Sequence, residues 1–128
     1  IKREEIRWEE KKISDADLIL VAYGTYARAA RSAMDLARGK GLKVGLFRPI
    51  SLFPFPYPQL KRLACRKRQF LVIEMSGGQM LEDVRLAVEG RSKVHFTNRL
   101  GGMVPTPQDV LETILKIREG GGPGENSF

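Results

Sequence analysis

Apolar and polar positions follow two rhythms along this chain, and the switches between them outline its elements. ADLILVAYG (16–24) is a continuous apolar run ending in glycine, the pattern of a strand buried on both faces. Thr25 is placed to cap a helix through about Arg38. On that helix Ala30, Ala33, Met34 and Ala37 share one face, with Arg28, Arg31, Asp35 and Arg38 opposite. Gly39 and Gly41 stop it. LKVGLFRPI (42–50) is a second strand, closed by Pro49.

In SLFPFPYPQL, Pro54, Pro56 and Pro58 recur at every other position, which forbids a regular helix and holds the chain extended. Phe53, Phe55 and Tyr57 then either cover the sheet end or offer a docking surface. A short helix from Pro58, PQLKRLACRK, carries Leu60, Leu63 and Ala64 inward and includes Cys65, read as a packing residue. FLVIEM is the third strand, Gln79 to about Glu89 the next helix, and SKVHFTN (92–98) the fourth strand. Thr106 caps a last helix with Pro107 at its first position. Val110, Leu111, Ile114, Leu115 and Ile117 form its apolar face.

Strands and helices in strict alternation predict a parallel sheet covered on both faces, with right-handed crossovers. EIRWEE, where Ile6 and Trp8 alternate with charges, suits a half-exposed edge strand before the first core strand.

At 128 residues the chain has the length of one domain with one packed core. No apolar run reaches the ~20 residues of a membrane span. The charged start IKREEIRWEEKK has no apolar stretch behind it, so no signal peptide is read. Its lack of a methionine reads as a fragment of a longer chain. One cysteine, Cys65, and one histidine, His95, exclude a disulfide or a Cys-rich metal or iron–sulfur site within this sequence. A reducing cytoplasm is the expected compartment.

The net charge of +7 is unevenly placed: residues 18–68 hold eleven basic side chains and one acid, Asp35. Such a half could face nucleic acid, a phosphorylated ligand or an acidic partner. Nucleic acid is disfavoured, because no aromatics interleave the basic segments and no RRM, KH or helix-turn-helix signature is present. A solvated or subunit-facing surface is the plain alternative.

In an open parallel sheet, ligands and partners meet the carboxyl ends of the strands. That edge is expected from Gly24-Thr25, Arg48-Pro49, Glu74 through Ser76, Gly77, Gly78 and Gln79, and Asn98-Arg99. Two of these turns lead into helix N-termini, which favour anions. Arg48 and Arg99 add positive charge, and Glu74 is expected to pair with one of them. Yet SGGQM matches neither GxGxxG nor GxxxxGK[ST], and YGTYAR has a single glycine. A glycine pair between strand and helix also serves geometry alone. Both readings stay open: anion site or plain corner. No Ser/His/Asp set, paired catalytic carboxylates or metal-ligand spacing emerges, and His95, between Val94 and Phe96, reads as an ordinary strand residue. No catalytic residue is assigned.

The order of these motifs carries a resemblance. DADLILVAYGTYARAARSAMDLARGKGLKVGLFRPISLFPFP, then LVIEMSGGQMLEDV, then FTNRLGG, resembles the C-terminal part of the alpha subunit of 2-oxoacid:ferredoxin oxidoreductases, the group of the 2-oxoglutarate and 2-oxoisovalerate enzymes. It runs from about Asp15 to Ile117. The family pattern usually has Asn after the Glu-Met pair; Ser76 stands there in this sequence, which weakens any role for a side-chain amide.

The resemblance implies a transketolase C-terminal-domain-like fold, a three-layer α/β/α sandwich around a five-stranded mixed sheet whose first strand, Ile6–Glu10, is an antiparallel edge strand. Residues 1–14 would form a linker and that strand, 15–119 the domain, and 120–128 a disordered glycine-rich tail. It also implies a parent enzyme that decarboxylates a 2-oxoacid oxidatively to an acyl-CoA and passes electrons to ferredoxin. That enzyme would use thiamine diphosphate with magnesium, coenzyme A and iron–sulfur clusters held in other domains or subunits, with none bound by this domain. The domain would be inactive by itself and would support assembly with the preceding alpha-subunit domain and the beta subunit, border a channel or help bind an anionic cosubstrate. The alternatives are a nucleotide- or phosphate-binding regulatory module, or the C-terminal domain of transketolase or a 2-oxoacid dehydrogenase. The GLFRPISLFPFP run argues against the last two.

Overall fold

The apolar rhythms become strands and helices in the expected alternation. The computed structural model describes residues 8–50, 57–65, 68–73, 79–88, 90–97 and 106–118. Its elements are β1 (Trp8–Lys11), β2 (Leu18–Ala22), α1 (Thr25–Gly39), β3 (Val44–Pro49), α2 (Tyr57–Leu63), β4 (Gln69–Ile73), α3 (Gln79–Val88), β5 (Lys93–Thr97) and α4 (Pro107–Arg118). The five strands form one sheet in the order β1-β3-β2-β4-β5. β1 runs antiparallel to β3, while β3, β2, β4 and β5 are mutually parallel. The mixed sheet with one antiparallel edge strand is thus present, and β1 is that edge; Ile6, expected within it, lies outside the described residues.

All five β2 residues are buried because β2 lies mid-sheet with helices on both faces. Its side chains alternate accordingly. Ile19 and Val21, with Phe47, Phe70 and Val72, pack against Leu60, Leu63, Leu81 and Val84 of α2 and α3. Leu18, Leu20 and Ala22, with Leu46, Leu71 and Ile73, pack against α1 and α4 through residues such as Ala30, Ala33, Met34, Leu111 and Ile114. The small residues of α1 let it lie close to the sheet, as their spacing predicts. No helix among the described residues is long and apolar enough to cross a membrane.

Several local expectations are corrected. Thr25 is not the cap of α1: Gly24 holds the N-cap position at φ 69°, ψ −139°, with no side-chain cap hydrogen bond, and Thr25 is the first helical residue. That backbone region is open almost only to glycine, so conformation selects the residue at this corner. Gly39 belongs to α1, and Gly41 ends it at φ 88°. There Gly41 N–H donates to the Arg38 carbonyl and Leu42 N–H to the Ala37 carbonyl, a Schellman closure. α2 stops at Leu63, and Cys65 lies beyond it and is exposed, because the chain must leave the helix to reach β4. The α4 cap is as expected: Asp109 N–H donates to Thr106 Oγ1 at 3.1 Å, and Thr106 N–H to Asp109 Oδ2 at 3.0 Å.

A feature unannounced by the apolar pattern holds the amino ends of the strands together. After β1 the chain turns at Lys12, with φ 56°, and runs under the sheet. The Arg68 guanidinium donates to the carbonyls of Ala16, Leu63 and Ile13, each at 3.1 Å. Arg38 donates to the carbonyls of Val44 at 2.8 Å and Lys12 at 2.9 Å, and to Asp15 Oδ1 at 2.8 Å. That hydrogen bond from Arg38 holds the Asp15 carboxyl below the usual carboxylate range. Two residues of the basic half are therefore engaged in structure.

Candidate functional site

The parallel register fixes which residues gather at the carboxyl ends. Val21 pairs with Phe47, and Ala22 with Ile73; Ile73 in turn pairs with Thr97. Tyr23 and Gly24 therefore follow β2 beside the end of β3, and Ile50 follows Pro49. Tyr23 is 43% exposed and Ile50 39%, two large apolar side chains at one edge.

Alternation along β3 sends Phe47 to the α2/α3 face and Leu46 and Arg48 to the α1 face. Alternation along β1 does the same for Glu9, which lies opposite Arg48 in the antiparallel register. The pair meets as Arg48 Nη1 to Glu9 Oε1 at 3.0 Å. Glu9 is held below the ordinary carboxylate range, first by the hydrogen bond from Arg48, with partial desolvation opposing, then by the nearby charges of Lys11, Arg48 and Arg31. Both side chains are about 40% exposed, so this cross-strand pair contributes ~0–1 kcal/mol to stability.

Above the pair, the N-cap and first two turns of α1 present Gly24 and Ala27, too small to fill the space, and Arg28 and Arg31, which rim it. The result is an open recess of about 460 Å³ lined by Glu9, Gly24, Ala27, Arg28, Arg31, Leu46 and Arg48. It holds three guanidiniums and one carboxylate. No acid occupies the first turn of α1.

The expected site residues fare unevenly. Gly24 and Arg48 come together in this recess; the Thr25 backbone begins α1 beside it. Gln79 begins α3. Glu74, Ser76, Gly77, Gly78 and Arg99 lie outside the described residues, and most of the SGGQM turn with them. The expected pairing of Glu74 with Arg48 or Arg99 rests on Glu74, outside the described residues; Arg48 meets Glu9, supplied by the edge strand. Glu9, Arg28 and Arg31 were not among the expected site residues. The i, i+3 spacing of Arg28 and Arg31 on the polar face was a usable signal, but the register that brings Arg48 and Glu9 beneath them was not.

His95 is buried at 2% exposure in β5, its Nε2 2.7 Å from Gln69 Oε1 across the β4–β5 ladder. Among the described residues no three His, Cys, Asp or Glu side chains converge as a metal site. With one cysteine in the sequence, the donor set does not fit an iron–sulfur cluster. A smaller recess of about 200 Å³ lies at the opposite, amino end of the sheet, between Leu42, Val44 and α4. Its charged groups, Asp17 and Arg118, are of opposite sign, and its Gln69 already meets His95.

Comparison with known proteins bears on what such an edge does. Residues 16–110 match the family model described as pyruvate:ferredoxin oxidoreductase core domain II. The chain is 48% identical over 117 residues to the ketoisovalerate oxidoreductase subunit VorB of Methanothermobacter thermautotrophicus, covering 91% of this chain and 33% of that protein. It is 33% identical to the 2-oxoglutarate synthase subunit KorA of Methanocaldococcus jannaschii, over 89% of this chain and 30% of that one. The chain thus spans about a third of the length of these relatives. Among solved structures, the 2-oxoglutarate:ferredoxin oxidoreductase of Magnetococcus marinus, with 2-oxoglutarate, coenzyme A and succinyl-CoA bound, matches with a TM-score of 0.71 at 22% identity, over 86% of this chain and 19% of that one. A split-gene transketolase, an inactive beta4 tetramer, matches at 0.64 and 18% identity, over 86% of this chain and 40% of that one. At these identities the structural likeness speaks for the fold, a transketolase C-terminal-like domain.

Proposed function

The chain belongs to the pyruvate:ferredoxin oxidoreductase core domain II family, and from that premise we propose that it is the assembly domain of the alpha subunit of a 2-oxoacid:ferredoxin oxidoreductase, without catalytic groups of its own. The observation that carries this reading is the exposed apolar pair Tyr23 and Ile50 at the carboxyl ends of adjacent strands, beside an arginine-rich rim. Tyrosine and arginine around an apolar centre is the composition of protein interfaces, and this sheet edge is where α/β domains meet partners.

In this reading the parent enzyme oxidatively decarboxylates a 2-oxoacid to an acyl-CoA and passes the electrons to ferredoxin. Greater identity to the ketoisovalerate subunit than to the 2-oxoglutarate one favours a branched-chain 2-oxoacid. Thiamine diphosphate, magnesium and the iron–sulfur clusters belong to other domains and to the beta subunit. The donor set of this chain does not fit a cluster, and no step of the reaction is assigned to it. Its partners are the preceding domain of the same subunit and the beta subunit, with ferredoxin reached through the complex.

The test is a Tyr23→Asp/Ile50→Asp double variant in the full enzyme. Both side chains already face water in the chain, so its thermal unfolding should stay within a few degrees of the parent's. The complex should dissociate on sedimentation and lose activity in step. An intact, fully active complex carrying both aspartates would overturn the proposal.

A further inference from the structure

Arg38, Arg48, Arg62 and Arg68 each have a structural partner. Arg38 and Arg68 tie down backbone carbonyls at the amino edge. Arg62 pairs with Glu10 at 2.8 Å, and Arg48 with Glu9. Arg28 and Arg31 differ: both are exposed on α1 and make no ion pair among the described residues. They rim the recess where a third arginine, Arg48, also points. Three like charges held on rigid elements repel one another, and Glu9 neutralises one of the three.

We propose that this recess is a binding site for a phosphate- or diphosphate-bearing small ligand, gripped by Arg28, Arg31 and Arg48, with Glu9 as the internal carboxylate that the ligand displaces from Arg48. The volume of about 460 Å³ lies in the range of small-molecule sites. The guanidinium fork matches phosphate oxygens two at a time. Gly24 and Ala27 on one wall and Leu46 at the base bring no competing charge, and the lack of a side chain at Gly24 lets a ligand approach the backbone. Glu9 shares the recess with the arginines, and its carboxyl is already turned to Arg48, so it marks where an anion would sit. Every group named here comes from this chain.

The test is calorimetric titration of the chain with inorganic pyrophosphate and with ADP, and with a short polyglutamate peptide as the competing class. Saturable binding at about millimolar or tighter is expected for pyrophosphate, weakening as salt rises. Each of Arg28→Gln and Arg31→Gln should weaken it about tenfold. Glu9→Gln should tighten it several-fold, because Arg48 no longer has a resident carboxylate. That gain cannot come from a misfolded variant, and circular dichroism checks the two arginine variants. ADP binding more tightly than pyrophosphate would identify a nucleotide as the source of the phosphates; equal binding would point to a free phosphate compound; either supports the site. Flat titrations, binding of polyglutamate alone, or pyrophosphate binding unchanged in the Arg28 and Arg31 variants would overturn it.

Discussion

Single residues account for the least expected parts of this fold. Arg68 lies 50 residues or more along the chain from the turn it stabilises, yet its guanidinium satisfies the carbonyls of Ile13 and Ala16, and that of Leu63 nearer by. An unpaired backbone acceptor in a half-buried position costs free energy, and here one side chain serves three. An Arg68→Met variant keeps the apolar stem and removes the donors. It should lose about 2–3 kcal/mol of stability, seen as a lower urea midpoint with an unchanged slope. A loss within ±0.5 kcal/mol, the range for plain surface substitutions, would mean that water replaces the guanidinium at these carbonyls. The sequence showed Arg68 only as one more charge in a basic half, because no periodicity reports a bond across 50 residues. Gly24, by contrast, was legible as a corner; what the sequence could not give was its positive φ, which moved the cap of α1 one residue earlier.

Elements were legible to the extent that burial is local. β2 and β4 announce themselves as apolar runs since both faces of mid-sheet strands are covered, and α1 and α4 through small and branched residues on one face. Gly45 shows where pattern falls short. Inside β3 it passes as a weak strand residue, but a Cβ there would lie 2.9 Å from the Lys12 carbonyl oxygen and 3.0 Å from Ala16 Cβ. The 12–16 turn crosses β3 at that point, and only glycine leaves room. Gly45→Ala should therefore cost about 1–3 kcal/mol through displacement of the turn, measured by thermal or urea unfolding; a neutral or stabilising result would show that the turn yields freely. The antiparallel placement of β1 followed from the family resemblance rather than from its own alternation, which gave an edge strand without a direction. Its register, which delivers Glu9 to Arg48, became visible only in the sheet.

For the whole molecule, the family was legible from motif order, YGTYAR through GLFRPISLFPFP to EMSGGQM, and the match over residues 16–110 bears it out. The basic half was equally legible as composition, but composition could not divide it. The fold does so, placing Arg38 and Arg68 at the amino edge and gathering Arg28, Arg31 and Arg48 near the exposed Tyr23 and Ile50 at the carboxyl edge. The proposed assembly role makes that edge a contact surface. Sedimentation of this chain mixed with the remainder of the proposed alpha subunit and with the proposed beta subunit tests that role most directly. The chain is expected to migrate with them in a fixed stoichiometry, and the remainder alone to fail to assemble. A complex that forms fully without the chain, leaving it to sediment by itself, would contradict it.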